Sequence, residues 1–171
     1  SGGAGVIISD AAAARDLAMP AMPQDAQNKL RELLPFCTPT NPVDTTAQVL
    51  NDMSLLPTFT ESLVVDGNYQ SILGFVTYTA TAATSGERVR LALKSVAQEH
   101  PDRLFVLNAM GDADKLKRYE EDGFTIFEDP SRAVAAIAAM GRYGQSFAET
   151  SKQAPPQVSA GDLPDDTPSE A

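Results

Sequence analysis

Between residues 71 and 145 the hydrophobic period switches repeatedly from strand-like to helix-like, and few architectures accommodate that alternation. "SILGFVTYTA" (Ser71 to Ala80) is rich in β-branched and aromatic residues and apolar nearly throughout, as in a strand covered on both faces. "TSGERVRLALKSVAQEHP" then sets Val89, Leu93 and Val96 at helical spacing. Thr84 with Glu87 makes a capping-box pattern at its start, and Pro101 ends it. "RLFVLNAMG" (Arg103 to Gly111) reads as the next strand, followed by a short helix in "DADKLKRYEEDG" with Asp112 as cap and Gly123 as stop. "FTIFED" (Phe124 to Asp129) is a third strand. "PSRAVAAIAAMGRYGQ" closes as a helix, with Pro130 in its first turn and Val134, Ile137 and Ala138 facing inward. Strands and helices in this order connect by parallel βαβ crossovers. The expected fold is α/β, an open parallel sheet with helices on both faces.

The first half carries fewer signals. "SGGAGVIISDAAAARDLAMP" opens the chain on a glycine cluster that runs directly into a helix, with Val6, Ala13 and Leu17 as its apolar stripe. "LAMPAM" suggests a short strand, and "DAQNKLRELLP" a helix with Leu30, Leu33 and Leu34 on one face. "TNPVDTT" is a turn-rich loop, and "LLPTFTESLVVDGN" a helix with Pro57 in its first turn and Asp66-Gly67 at its stop. A doubly wound sheet ordinarily has a strand feeding its first helix. Here the chain begins at the glycines, without an initiator methionine, so it reads as a fragment whose first strand is missing.

The totals exclude several function classes. The chain has 171 residues, 43% of them hydrophobic, enough for one domain with a buried core. Its formal charge of −10 argues against a nucleic-acid groove or a basic membrane-surface patch, both of which need clustered Lys and Arg. Cys37 is the only cysteine, which rules out an intrachain disulfide or a cysteine zinc cluster. No apolar run reaches the roughly 18 residues that a membrane helix needs. No basic leader precedes the first helix either, so a cytoplasmic setting is expected. "SKQAPPQVSAGDLPDDTPSEA" (Ser151 to Ala171) is Pro-rich and acidic with few large apolar residues, the composition of a linker or tail. The expected division is 1–150 for the folded module and 151–171 for that linker.

The chemistry-bearing residues are few. Ser1, Gly2, Gly3, Ala4 and Gly5 sit at the mouth of a helix, where unpaired N–H groups and the helix dipole attract an anion. The pattern is neither a Walker A loop, since no Gly-Lys-Ser/Thr follows, nor a dinucleotide fingerprint, since Ile8 stands at the third glycine. From spacing alone, a plain tight turn is an equally good reading. Asn41 and Asp44 flank a Pro-fixed turn, where Asx-type bonding to the local backbone is favoured over direct chemistry. His100, beside Glu99 and Asp102, reads as a solvated helix-terminal histidine without a second histidine for a metal pair. The carboxylates of "KRYEEDG" read as a solvated helix face, and Cys37 as a small packing residue. Tyr78, Thr79 and Thr81 fall at a strand's carboxyl end, where open α/β sheets place ligands. No catalytic residue and no metal ligand is assigned.

The order "SGGAGVIISDAAAARDLAMP", "LRELLP", "NPVDTT" and finally "AVAAIAAMGRYG" resembles the second flavodoxin-like module of the ADP-forming acyl-CoA synthetases, of the acetate–CoA ligase type and the succinyl-CoA synthetase superfamily. The resemblance runs from about Ser1 to Thr150 and rests on the order and spacing of the motifs together. It implies a parent enzyme that uses CoA, ATP/ADP, phosphate and Mg, with a phosphorylated histidine shuttling between a CoA site and an ATP-grasp site. It implies that Ser1 to Gly5 open one of two helices whose amino ends face that phosphohistidine, with Asn41 and Asp44 in a supporting loop. The phosphorylated histidine itself lies in a Ser/Gly-His-x-Gly context that His100 does not match. The implied partners are therefore CoA-binding, phosphohistidine and ATP-grasp modules, and the isolated chain is expected to be inactive. The alternatives are a freestanding flavodoxin-like binding or regulatory domain, and a subunit-assembly domain without catalysis.

Overall fold

The computed structural model describes residues 2–150, with the side chains of 3–149; residues 151–171, and with them the expected linker, lie outside the described residues. Among the described residues, six α-helices and five strands follow one another as α1 (Gly2–Ala13), α2 (Gln24–Leu33), β1 (Thr38–Pro39), β2 (Val43–Asp44), α3 (Leu55–Val65), β3 (Ser71–Thr77), α4 (Gly86–Glu99), β4 (Leu104–Ala109), α5 (Ala113–Glu121), β5 (Thr125–Phe127) and α6 (Pro130–Thr150). The main sheet is parallel, in the order β3-β4-β5. β1 and β2 form a separate antiparallel ribbon, pairing Thr38 with Asp44 and Pro39 with Val43. This is the flavodoxin-like α/β arrangement expected from the alternating periods.

β4 is central, and its residues from Phe105 to Ala109 are all buried, as a strand covered on both faces must be. Phe105, Leu107 and Ala109 face Val89, Leu93 and Val96 of α4, Tyr119 of α5 and Val64 of α3. Val106 faces the other way, toward Ala133 and Ile137 of α6. On that same face, Ile8, Ala11 and Ala12 of α1 pack with Val134 of α6 and Leu73 of β3. A satellite core under α2 gathers Met22, Ala26, Leu30, Leu34, Cys37 and Phe59. Each fully buried Leu, Val or Phe side chain contributes about 1.5–3 kcal/mol relative to exposure.

Several local expectations hold. Val134, Ile137 and Ala138 are buried. The Asp112 carboxylate accepts from the Lys115 amide as the cap of α5. Gly123 ends that helix at φ +94°, a conformation that side chains with a Cβ rarely adopt. Other expectations need correction. α1 buries Ala4, Ile8, Ala11 and Ala12, while Val6 is 60% exposed and Ala13 is exposed. The packing face is the one that meets α6, where Ile8, Ala11 and Ala12 contact Val134, the two alanines letting the helices approach closely. On α2, Leu30 and Leu34 are buried but Leu33 points outward. "LAMPAM" is no strand; the Met22 amide donates singly to Thr40 O at 3.0 Å. β3 ends at Thr77 rather than Ala80, because Thr77 turns to φ +46° and a 3-10 turn, Tyr78–Thr81, follows. Thr84 does not cap α4, whose N-cap is Ser85 with no side-chain cap bond.

Candidate functional site

The first four N–H groups of an α-helix, those of its N-cap and first three residues, have no partner in its own ladder, and in α1, which begins at Gly2, three of them belong to Gly2, Gly3 and Ala4. Among the described residues no side chain accepts from the amides of Gly3, Ala4 or Gly5. Gly3 is exposed, and a Cβ built on it would meet nothing within 4 Å. A Cβ on Gly5 would lie 3.5 Å from Cγ of Pro42, an ordinary contact. Ala4 is buried. Thus one side of the first turn is open, and the other leans on the loop between β1 and β2. Ser1 lies outside the described residues.

The residues of that loop serve the backbone. The Asn41 amide group donates to Pro20 O at 3.1 Å, and the Tyr69 hydroxyl donates to the same carbonyl at 2.6 Å. Asp44 Oδ1 accepts from the Thr46 amide at 2.8 Å, an Asx turn. Asn41 and Asp44 therefore fix the loop that seats Pro42 against Gly5, and β2 packs on α1. Pro42 is the proline of the turn that Asn41 and Asp44 flank in the sequence; its contact with Gly5 is visible only in the fold.

The carboxyl end of the sheet holds a second polar cluster. Tyr119 is buried, and its hydroxyl lies 3.0 Å from Ala80 O and 2.9 Å from Gly86 O, so its proton is shared between two carbonyls. Burial pushes the Tyr119 phenol up to about 12. Beside it, Glu87 receives Arg90 through Nε at 3.1 Å and Nη2 at 2.8 Å, and Arg118 at 2.9 Å. Hydrogen bonds from Arg90, joined by the charges of Arg90 and Arg118, lower the Glu87 carboxyl to about 2. Arg90 also pairs with Asp122, which Lys94 contacts at 2.7 Å. Burial opposes ionisation of Asp122, but its bonds to Lys94 and Arg90 keep it below the usual carboxylate range. Asp122 is therefore a buried ion-pair partner and not part of a solvated face. A cleft of about 80 Å³ runs between Ala80, Gly86, Arg90, Lys115 and Tyr119. Its cations are already engaged, Lys115 with Thr81 O at 2.8 Å, so it reads as a cross-braced corner.

Of the three residues marked at the end of β3, Thr81 has a structural duty. Its hydroxyl donates to Met110 O at 3.1 Å, and a Cβ on Gly111 would fall 2.1 Å from that hydroxyl oxygen. Tyr78 is exposed. Asn108, at the same end of β4, is buried and donates to Phe127 O at 3.0 Å and Glu128 O at 2.8 Å. Its Oδ1 has no partner among the described residues. His100 is half-buried, with Nε2 2.9 Å from Glu61, and so is not the solvated histidine expected. Cys37 is buried as expected, its thiol raised by burial.

The profile of the Ligase-CoA domain family matches residues 1–86, a stretch that contains α1, the β1–β2 loop and all of β3. The chain belongs to the Ligase-CoA domain family. Among curated proteins, none matches it. A crystal structure of PH0766 from Pyrococcus horikoshii OT3 is similar to this Ligase-CoA domain with a TM-score of 0.70 at 19% identity, over 81% of the chain. That likeness speaks to the fold. The alignment covers 33% of the Pyrococcus chain, so this Ligase-CoA domain spans about a third of that solved protein. Among the described residues no helix is long and apolar enough to cross a membrane.

Proposed function

We propose that this chain is a module of an ADP-forming acyl-CoA synthetase, which converts an acid, CoA and ATP to acyl-CoA, ADP and phosphate. In that enzyme the amino end of α1 holds the phosphoryl group carried on a histidine of another module. The supporting observation is the open first turn. Glycine within a helix costs roughly 0.5–1 kcal/mol relative to alanine. Yet Gly3 has no neighbour that would forbid a side chain, and no positive φ that would demand glycine. Internal packing does not account for it, whereas an anion approaching the backbone from outside does.

The amides supply electrostatic stabilisation without acting as acid or base. An anion at a helix amino end is worth about 0.3–1 kcal/mol per charge, and up to about 2 when partly buried. Because the turn is open to solvent, a second module must cover it for the upper figure to apply. The CoA-binding, phosphohistidine and ATP-grasp modules of the parent enzyme are the proposed partners. CoA, ATP or ADP, phosphate and Mg are assigned to the complete enzyme, and the chain alone is proposed to be inactive. The reaction suits a cytoplasmic setting.

The test is made in the complete enzyme. Gly3→Val, which places a branched side chain across the open face, should lower the yield of phosphohistidine severalfold while leaving the expressed protein folded. An unchanged yield of phosphoenzyme would remove the role assigned to α1.

A further inference from the structure

We propose that Glu61, Glu99 and His100 form a site for a divalent transition metal of the Zn2+ type, tying α3 to the end of α4. Glu61 lies on α3, Glu99 is the last residue of α4, and His100 is its C-cap. The candidate ligand atoms of all three lie within 4.8 Å of one another. His100 Nε2 stands 2.9 Å from both Oε1 and Oε2 of Glu61. With metal–ligand bonds of about 2.1 Å, an N···O edge of that length subtends about 90° at the ion, within the range of five- or six-coordinate geometry. Binding replaces their direct contact with two bonds to the ion, the ring and the carboxylate each turning to aim a lone pair at it. The exposed Glu99 closes on the ion by a change of rotamer, which a surface glutamate makes freely.

The surroundings favour a cation. The site sits at the carboxyl end of α4, the negative pole of a 14-residue helix. Arg103, three residues beyond His100, is turned to Asp102 at 3.6 Å and Asn68 at 3.3 Å. One imidazole nitrogen with carboxylate oxygens suits Zn2+, Co2+ or Ni2+ better than the all-oxygen preference of Ca2+ or Mg2+. Three protein donors in that five- or six-coordinate geometry leave two or three coordination positions for water. α4 ends just before β4 begins, so the site lies at the amino ends of the strands, opposite the Tyr78–Thr81 turn. Its effect is a cross-link between α3 and α4, which pack together. An ion held by the folded chain and not by the unfolded one stabilises the fold by mass action.

The chain's single histidine makes the test specific. The full chain, free of any affinity tag, is titrated with ZnCl2 while the imidazole C–H signals of His100 are followed by NMR and the stoichiometry by calorimetry. The expected result is one Zn2+ per chain at micromolar affinity, with the His100 signal shifting to saturation. Tm should rise by about 5–10 °C at a hundredfold excess over Kd. Glu61→Gln and Glu99→Gln should each weaken binding at least tenfold and threefold, respectively. Glu99 is exposed, so its variant folds and keeps the test decisive even if Glu61→Gln does not. An unmoved His100 signal, or Zn2+ affinity unchanged in Glu99→Gln, would overturn the site and leave a plain His100–Glu61 ion pair.

Discussion

Replacing Gly3 with alanine separates what the opening glycines do for the fold from what they do for a ligand. Gly3 is the second residue of α1, and a Cβ there meets nothing within 4 Å. Among the described glycines only Gly111 and Gly123 have positive φ, so an alanine at position 3 adopts the backbone without strain. In a helix interior the change gains roughly 0.5–1 kcal/mol. In the first turn, where the ladder is incomplete, the low end of about 0.5 kcal/mol applies, and it corresponds to about 1–2 °C in Tm for a chain of this length. The same methyl group projects onto the open face where the anion would sit, so phosphate affinity should fall. Urea unfolding of wild type and Gly3→Ala, followed by circular dichroism, measures the first effect. Phosphate titration of the two proteins measures the second. A more stable protein that holds phosphate less well is the expected outcome. Destabilisation by more than about 0.5 kcal/mol would mean that the glycine serves internal structure after all.

Two further outcomes test the braced corner. Tyr119→Phe removes the donor shared by Ala80 O and Gly86 O and should cost about 1–3 kcal/mol in urea unfolding, since buried carbonyls lose their partner; a cost below about 0.3 kcal/mol would show that the hydroxyl is not satisfying them. Glu87 has a folded-state pKa lowered from 4.5 to about 2, so its contribution is complete above pH 4.5 and disappears as pH falls through about 2. The stability gap between wild type and Glu87→Gln should therefore close across that window, and a gap that does not vary with pH would contradict the assignment.

The alternating strands and helices after residue 71 were legible because each buries a stripe whose period betrays it: Val89, Leu93 and Val96 on α4, Val134 and Ile137 on α6. α1 was legible as a helix but not in its orientation. Hydrophobicity favoured Val6, whereas packing against α6 selected Ile8, Ala11 and Ala12. The capping-box reading failed because the Glu87 carboxylate bonds Arg90 and also Arg118, a partner 31 residues along the chain. No local pattern announces such a pairing. Separation in sequence likewise hid the contact of His100 with Glu61, 39 residues apart. At the candidate site the glycines were visible as composition. That Gly3 faces outward while Gly5 rests on Pro42 required the fold of the β1–β2 loop.

The anion-holding role of α1 is tested most directly by titrating the 15N-labelled chain with inorganic phosphate and following backbone amide shifts. The account predicts saturable shifts concentrated on the amides of Gly2, Gly3, Ala4 and Gly5, reduced in Gly3→Val. Shifts spread over the basic side chains with those four amides unmoved would contradict it.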